Sequence, residues 1–370
     1  MKEYESIPIW GLVNYDSDLN VVLSKAGRDY IREEILKRYG LLKNASKEIG
    51  MSYRRLIENL KGRRSMDFFK LIQLMKKLNL NKHIIEKEVE GLVIRSIKIK
   101  NVHFPLRCDP VFASLFMNLL GDGGLHKRNN TGCFHYGEPE SYQLIQEKLS
   151  YVLGSTPYQK GEHIPKVLVF LMMKYFRVNN ISTKQSVFPN KLLKADKFTK
   201  LASLTAFIND EGTPTTSFIQ IYSSNYKLLS GVRILAQSLG YRVSKVSRSK
   251  DKHRKAKKTY LFRINSVREF YEDYKELIKK YPQTRLIGRK ERILRILDLI
   301  LTRPKRDRRE TLNLIINALK SGDKNIYDLG EITQMTQNGV RKYLKELINS
   351  NLIERKYSDS KTRYIYSFLK

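Results

Sequence analysis

Acidic residues are scarce in this chain: 37 Asp and Glu stand against 70 Lys and Arg, a net charge of +33 over 370 residues. That excess is far above what solubility needs, and a polyanionic partner accounts for it best. Double-stranded DNA is preferred over a membrane surface, because the basic residues sit beside helix-turn-helix patterns. Cysteine is scarcer still. Cys108 and Cys133 are the only two and no CxxC occurs, which argues against a disulfide framework and fits reduced thiols. Cys108, His126, Cys133 and His135 fall in one stretch, at spacings that match no common zinc pattern. Long apolar runs are missing too: none reaches the roughly 18 residues of a membrane helix. The start, Met1 to Pro8, lacks a charged-then-apolar signal pattern. The expectation is a cytoplasmic protein, nucleoid-associated if prokaryotic.

What is present divides into three parts. Residues 1–95 predict an all-α unit after a short extended start, with helices at 26–38, 42–49, 53–60 and 66–78. Gly50 closes the second helix and Ser52 caps the third, which carries Arg54, Arg55 and Asn59; that order is a helix-turn-helix pattern. Residues 283–370 predict a linking helix at 284–300, three helices at 310–320, 326–334 and 337–350, and a hairpin ending at 364–368. Three helices and a hairpin wing make a winged helix. Its third helix carries Arg341, Lys342 and Lys345, and its wing Arg355, Lys356, Lys361 and Arg363.

The central part, 96–282, contains an internal repeat. Two apolar helical segments, 112–123 and 201–212, each carry Ala-Ser near the start and end in an acid followed by glycine: Gly121-Asp122-Gly123 and Asp210-Glu211-Gly212. A strand pattern follows each acid in both copies, then a helix closed by glycine, 32 residues after Asp122 and 29 after Glu211. Strands at 164–169, 241–246 and 259–264 and helices at 170–176 and 267–278 complete the copies. Duplication predicts a pseudo-twofold molecule with one shared site.

An acid at a helix C-terminus opposes the helix dipole, by roughly 0.3–1 kcal/mol. Two of them in a very basic chain suggest a site built for cations. Ala113, Ser114 and Gly121 fall on or near one helical face, and Ala202, Ser203 and Ala206 on another. Helices packed through such faces would bring Asp122 and Glu211 together, with Gly121 and Asp210 beside them as further candidates for the metal site. Paired carboxylates repel unless a cation sits between them, and hard oxygen donors suit Mg²⁺ or Mn²⁺. Under a phosphodiester that arrangement fits metal-assisted hydrolysis. The alternative is two surface acids, each followed by a C′ glycine.

Leu115-Phe116-Met117-Asn118-Leu119-Leu120-Gly121-Asp122-Gly123 and Leu204-Thr205-Ala206-Phe207-Ile208-Asn209-Asp210-Glu211-Gly212 resemble the two motifs of single-chain LAGLIDADG homing endonucleases. Residues 181–189 resemble that family's inter-repeat segment. The first motif departs at Met117 and Asn118, and Asp210 stands where the second usually has a small residue. The resemblance implies an α+β fold of two αββαββα units whose sheets straddle DNA. It implies that Asp122 and Glu211 bind divalent metal and that both strands are cut. It also implies a basic residue near a strand end in each half, for which Lys166 and Arg263 are the candidates; arginine stays protonated and could only stabilise charge. A monomer with internal pseudo-symmetry follows.

Between positions 245 and 258 lie eight basic residues and one Asp. They are Lys245, Arg248, Lys250, Lys252, Arg254, Lys255, Lys257 and Lys258, a set suited to phosphate contacts. Two functions compete: a site-specific double-strand DNA endonuclease, and a DNA-binding transcriptional regulator that keeps the core as a scaffold. An RNA-processing nuclease has little support.

Overall fold

The computed structural model describes residues 4–15, 18–94, 97–125, 131–134, 136, 138–155, 163–182, 185–249, 259–302, 306–357 and 364–369, with the side chain of residue 301 excepted. The chain is α+β. Among the described residues no helix is long and apolar enough to cross a membrane.

The N-terminal part comprises β1 (Ser6–Ile7), β2 (Leu19–Leu23), α1 (Lys25–Tyr39), α2 (Leu42–Ile49), α3 (Tyr53–Leu60), β3 (Met66–Asp67), α4 (Phe68–Leu78), α5 (Lys82–Lys87), β4 (Val89–Ile94) and β5 (Ile97–Lys100). The expectation of an all-α unit is corrected here. An antiparallel four-stranded sheet of order β3-β2-β4-β5 runs through it. Leu19, Val21 and Leu23 are buried and alternate with half-buried neighbours, the period of a strand rather than a helix. The β4–β5 hairpin pairs Ile94 with Ile97, so the sheet continues across the boundary expected at 95. Gly50, with φ 65° and ψ 39°, ends α2 in the left-handed region that favours glycine. Ser52 Oγ then accepts from the Arg55 N–H at 3.3 Å and opens α3.

The central part holds β6 (Leu106–Arg107), then two successive sets. The first is α6 (Pro110–Gly121), β7 (Gly123–Leu125), β8 (Gly132–Phe134), α7 (Pro139–Leu153), β9 (His163–Ile164) and α8 (Lys166–Phe176). The second is α9 (Lys197–Glu211), β10 (Gly212–Pro214), β11 (Ile219–Ser223), α10 (Tyr226–Ser238), β12 (Ser247–Arg248), β13 (Tyr260–Ile264) and α11 (Val267–Lys280). The second set is αββαββα, in a sheet of order β10-β11-β13-β12. The first has the sheet order β7-β8-β9 among the described residues. A partner equivalent to β12 would fall near 156–162, outside them. The strand expected at 164–169 is only two residues long, because Pro165 precedes a run that is buried on most sides and coils as α8. Register repeats between the sets: Gly123 pairs with Phe134, and Gly212 with Ile221.

The C-terminal part comprises α12 (Gly288–Thr302), α13 (Arg308–Lys320), β14 (Lys324–Asn325), α14 (Ile326–Thr333), α15 (Gln337–Asn349), β15 (Ile353–Tyr357) and β16 (Tyr364–Phe368). Its sheet has the order β14-β16-β15. Ile315, Leu319, Leu329, Val340, Leu344, Leu347 and Ile353 form its own core. The N-terminal and central parts instead share one continuous core. The helix α12 joins the two bodies: Leu294 and Leu297 pack into the large core, while Ile293 and Ile296 pack against Tyr327 of α14.

Candidate active site

The two motif helices α6 and α9 pack along their length, and the reasons are local. Each begins with an aspartate cap: Asp109 Oδ1 accepts from the N–H groups of Val111 and Phe112, at 3.0 and 3.1 Å. Asp196 Oδ1 does the same for Phe198 and Thr199, at 2.9 and 3.2 Å. The repeated Ala-Ser is explained next. Ser114 Oγ donates to the Val111 carbonyl and Ser203 Oγ to the Thr199 carbonyl, both at 2.8 Å. Small side chains thus allow close helix approach while their hydroxyls are satisfied within their own helix.

The closing glycines do a different job from a left-handed cap. Gly212 is extended, at φ −96° and ψ 151°. A Cβ on Gly123 would lie 2.6 Å from Leu119 Cα, and one on Gly212 2.7 Å from the Ile208 carbonyl oxygen. Glycine is needed because each strand leaves so close to its own helix that no side chain fits between. The acid before it is thereby held at the junction of helix and sheet.

At the converging helix ends lie Gly121 and Asp210. A Cβ on Gly121 would meet Asp210 Oδ2 at 2.5 Å. The Asp210 carboxylate accepts from Asn118 Nδ2 at 3.0 Å through both oxygens, and from the Tyr136 hydroxyl at 3.3 Å. Asn118 Nδ2 also reaches the Ala206 carbonyl at 3.3 Å, and Asn118 Oδ1 accepts from Lys148 Nζ at 2.6 Å. Lys148 is 0% exposed. Burial pulls its ammonium down to about 7, against the favourable charge of Asp210. Burial raises Asp210 well above the carboxylate range, and the charge of Asp122 raises it further, while Asn118, Lys148 and Lys290 oppose. Asp122 is exposed, and the partial burial of its carboxyl raises it too, with Lys290 pulling it back. Tyr136 is pushed up by burial and by both aspartates, so it stays a hydroxyl donor.

Glu211, the last residue of α9, is half-buried beside this group. Its neighbour Asn209 fastens the chain entering α12: Nδ2 donates to the Arg285 carbonyl at 2.8 Å, and Oδ1 accepts from the Ile287 N–H at 3.2 Å. Arg285 forks onto Glu147 of α7 at 2.5 and 2.9 Å. Lys290, on the first turn of α12, donates to the carbonyls of Ile208 (3.0 Å) and Asn209. Burial lowers Lys290, and the charges of Asp210, Asp122, Glu138 and Glu211 raise it in return.

Asp122 and Glu211 place a carboxylate each at this junction, while the Asp210 carboxyl is taken up by Asn118 and Tyr136. Among the described residues no group of three or more His, Cys, Asp or Glu side chains is disposed to hold a metal ion. Two carboxylates suit a hard cation only where water or phosphate oxygens complete its shell.

The other candidates are placed as follows. Arg263 is exposed on the outer face of β13, opposite Gln220 of β11, with its guanidinium 4.6 Å from the Phe218 ring centroid. Thr213 pairs with Gln220 in turn, giving a row of Thr213, Gln220 and Arg263. Lys166 is corrected: it opens α8 rather than ending a strand, and its ammonium lies 5.6 Å from the centroid of the Tyr15 ring. Arg54 and Arg55 are exposed on α3, with Arg54 paired to Glu58 at 3.1 Å. Asn59 is not available beside them; it is buried and ties down the carbonyls of Arg64 and Ser65. Lys245 and Arg248 are exposed near β12. Lys250, Lys252, Arg254, Lys255, Lys257 and Lys258 lie outside the described residues, as do Lys361 and Arg363. Arg341, Lys342 and Lys345 are exposed on α15. Arg341, Lys345 and Arg355 line one side of a cleft of about 1610 Å³, which Arg285, Arg289, Arg292 and Arg295 line from the other.

Asn118 marks itself in the sequence only as a departure from the motif, and Lys148 only as a lysine within the buried stripe Leu144, Ile145, Leu149. Nothing local in the sequence signals Lys290.

No family model matches the chain, and no curated protein matches it. Similar solved structures include mesophilic variants of the homing endonuclease I-DmoI, at 16% identity and TM-score 0.32 over 46% of this chain and 96% of that one. I-DmoI in complex with DNA and Mn is similar at 17% identity and TM-score 0.31, over 46% and 97%. Full-length DUF199/WhiA from Thermatoga maritima is similar at 13% identity and TM-score 0.23, over 65% and 90%.

Proposed function

We propose that the chain is a site-specific double-strand DNA endonuclease of LAGLIDADG type, dependent on Mg²⁺ or Mn²⁺ and active as a monomer. The observation that carries this reading is the meeting of the two motif helices at their acid ends, where Asp210 of α9 closes against Gly121 of α6, next to Glu211 and Asp122. Asp122 and Glu211 are the proposed metal-binding acids, one for each strand to be cut, with Gly121 and Asp210 shaping the floor between them. A bound divalent ion would supply an activated water and charge neutralisation at the leaving oxygen. The chain supplies the rest. Asn118 and Tyr136 hold the Asp210 carboxyl by hydrogen bonds, keeping it from swinging toward Asp122. Arg263, with Gln220 beside it, offers a guanidinium and an amide to base edges or phosphate. Lys245, Arg248 and the basic residues up to Lys258 are proposed to neutralise phosphates. The α2–α3 pair and the C-terminal unit are proposed as a helix-turn-helix and a winged helix that lengthen the target, through Arg54 and Arg55 and through Arg341, Lys342 and Lys345.

One observation favours the second reading, a regulator that binds without cutting: the Lys290 ammonium already occupies the Ile208 and Asn209 carbonyls beside the acids of α9. The test is incubation with Mg²⁺ or Mn²⁺ and DNA from the gene's own genomic neighbourhood, beside Asp122→Asn and Glu211→Gln. The wild type is expected to bind and cut, and both variants to bind without cutting. Tight binding by the wild type with no cleavage in either metal would leave the regulator.

A further inference from the structure

Resting on the metal-site reading above, we propose that Lys290 is the built-in counter-ion of the acid pair, which a divalent metal must displace, and that the C-terminal unit governs its grip through α12. The motif helices supply no cation to neutralise their own acids at the solvent side. Lys148 is committed on the far side, beneath Asn118. Lys290 comes from outside both repeats, and its Nζ bonds the Ile208 and Asn209 carbonyls at the end of α9. Those carbonyls carry the negative end of the helix dipole, so a cation is favoured there. A metal drawn to the neighbouring carboxylates would therefore compete with this ammonium at the carbonyl oxygens that end α9.

The same helix is bolted to the C-terminal unit two residues further on. Arg292 Nε donates to Glu331 at 2.7 Å, and its Nη2 to Asp328 at 2.6 Å and to Glu331 at 3.1 Å. Both acids lie on α14, on the far side of α12 from the motif helices. Ile293 and Ile296 meet Tyr327 on that side, while Leu294 and Leu297 bury into the main core. A shift of the C-terminal unit, such as DNA seating on α15 would cause, is transmitted to Lys290 through only two residues of rigid helix. The device would hold the acids charge-compensated and metal-poor until the flanking unit is engaged.

The experiment measures Mn²⁺ binding by calorimetry, without DNA, on the full chain and on Lys290→Met, Lys290→Arg, Arg292→Ala, Asp122→Asn and the Asp122→Asn/Lys290→Met double variant. Lys290→Met is expected to bind Mn²⁺ at least ten-fold more tightly than the wild type, Lys290→Arg no more tightly, and Arg292→Ala a few-fold more tightly. Melting temperature gives a second readout: Mn²⁺ should raise that of Lys290→Met more than that of the wild type. If Lys290→Met binds no more tightly, while Asp122→Asn still abolishes binding, the metal site stands and the counter-ion role falls. If neither the wild type nor Lys290→Met binds Mn²⁺ above the level of the double variant, both the role of Lys290 and the metal reading fall.

Discussion

Gly121 and Asp210 occupy equivalent places in the two repeats, and they touch: the hydrogen-only side of one accommodates the carboxylate of the other, with 2.5 Å between a would-be Cβ and Oδ2. A large residue at one of two symmetric positions is thus offset by the smallest residue at its mate. Asn118, a second departure from the motif, completes the fit by hydrogen-bonding that carboxylate. The irregularities of the two motifs are one feature, distributed over both.

Gly121→Ala is expected to destabilise the protein by about 1–3 kcal/mol, the range for overpacking a dense interior. Asp210→Ala should relieve most of that loss in the double variant. Urea unfolding of the four species gives the coupling. An unchanged midpoint for Gly121→Ala would show that the helix ends have slack.

Asn118→Leu keeps the branched shape and removes the polar contacts to Asp210, Lys148 and the Ala206 carbonyl, leaving the buried Lys148 without its partner. Breaking a buried charged contact by removing one side costs about 3–5 kcal/mol, and the loss here is expected toward the lower end because Lys148 can shed its proton. The Asn118→Leu/Lys148→Met double variant should regain a substantial part. If the double is no more stable than the single, Lys148 is solvated by another route.

Lys148 also predicts a pH dependence. Its folded value, about 7, lies below its ordinary value of 10.5. Between those values the unfolded chain binds the extra proton, so stability from this group grows as pH rises and is lost as pH falls through 7. Asp210 and Asp122 act in the opposite sense: their raised carboxyls stabilise the fold at low pH, and that contribution is lost as pH climbs above the carboxylate range. The stability of the wild type relative to Lys148→Met should therefore increase from pH 7 to pH 10. Parallel urea curves across that range, with a constant difference, would contradict the assignment.

The cleft residues Arg341 and Lys345 test the role of the C-terminal unit. If each meets a phosphate, replacing both with alanine should lower the slope of log affinity against log salt by about 1.8 on duplex DNA. A weaker affinity with unchanged slope would mean that they act through folding. Arg263→Ala should instead change which sequences are preferred, measured by selection from a randomised duplex pool.

The helices were legible from periodicity and from their end signals. Gly50 and Ser52 mark the α2–α3 junction, and the glycine-terminated motif helices were found by repetition. The N-terminal sheet was missed because its strands are short, scattered from 19 to 100, and separated by stronger helical patterns. Only pairing at long range makes strands of them. The partial likeness of the first repeat to the second could be read as order but not as strand length, since Pro165 and the apolar run after it suit a helix as well.

The candidate site divides along the same line. Composition and the doubled acid-glycine motif by themselves determined a basic, duplicated protein with Asp122 and Glu211 at helix ends, because charge totals and repeats are properties of the chain. Which groups surround those acids was decided by the tertiary structure. Asn118 meets Asp210 across 92 positions, Lys148 meets Asn118 across 30, and Lys290 reaches Ile208 across 82. No local pattern encodes such contacts. They exist because two helices with small faces pack closely, and because a third helix, pinned by Asn209 and Arg285, begins where their carbonyls and carboxylates converge.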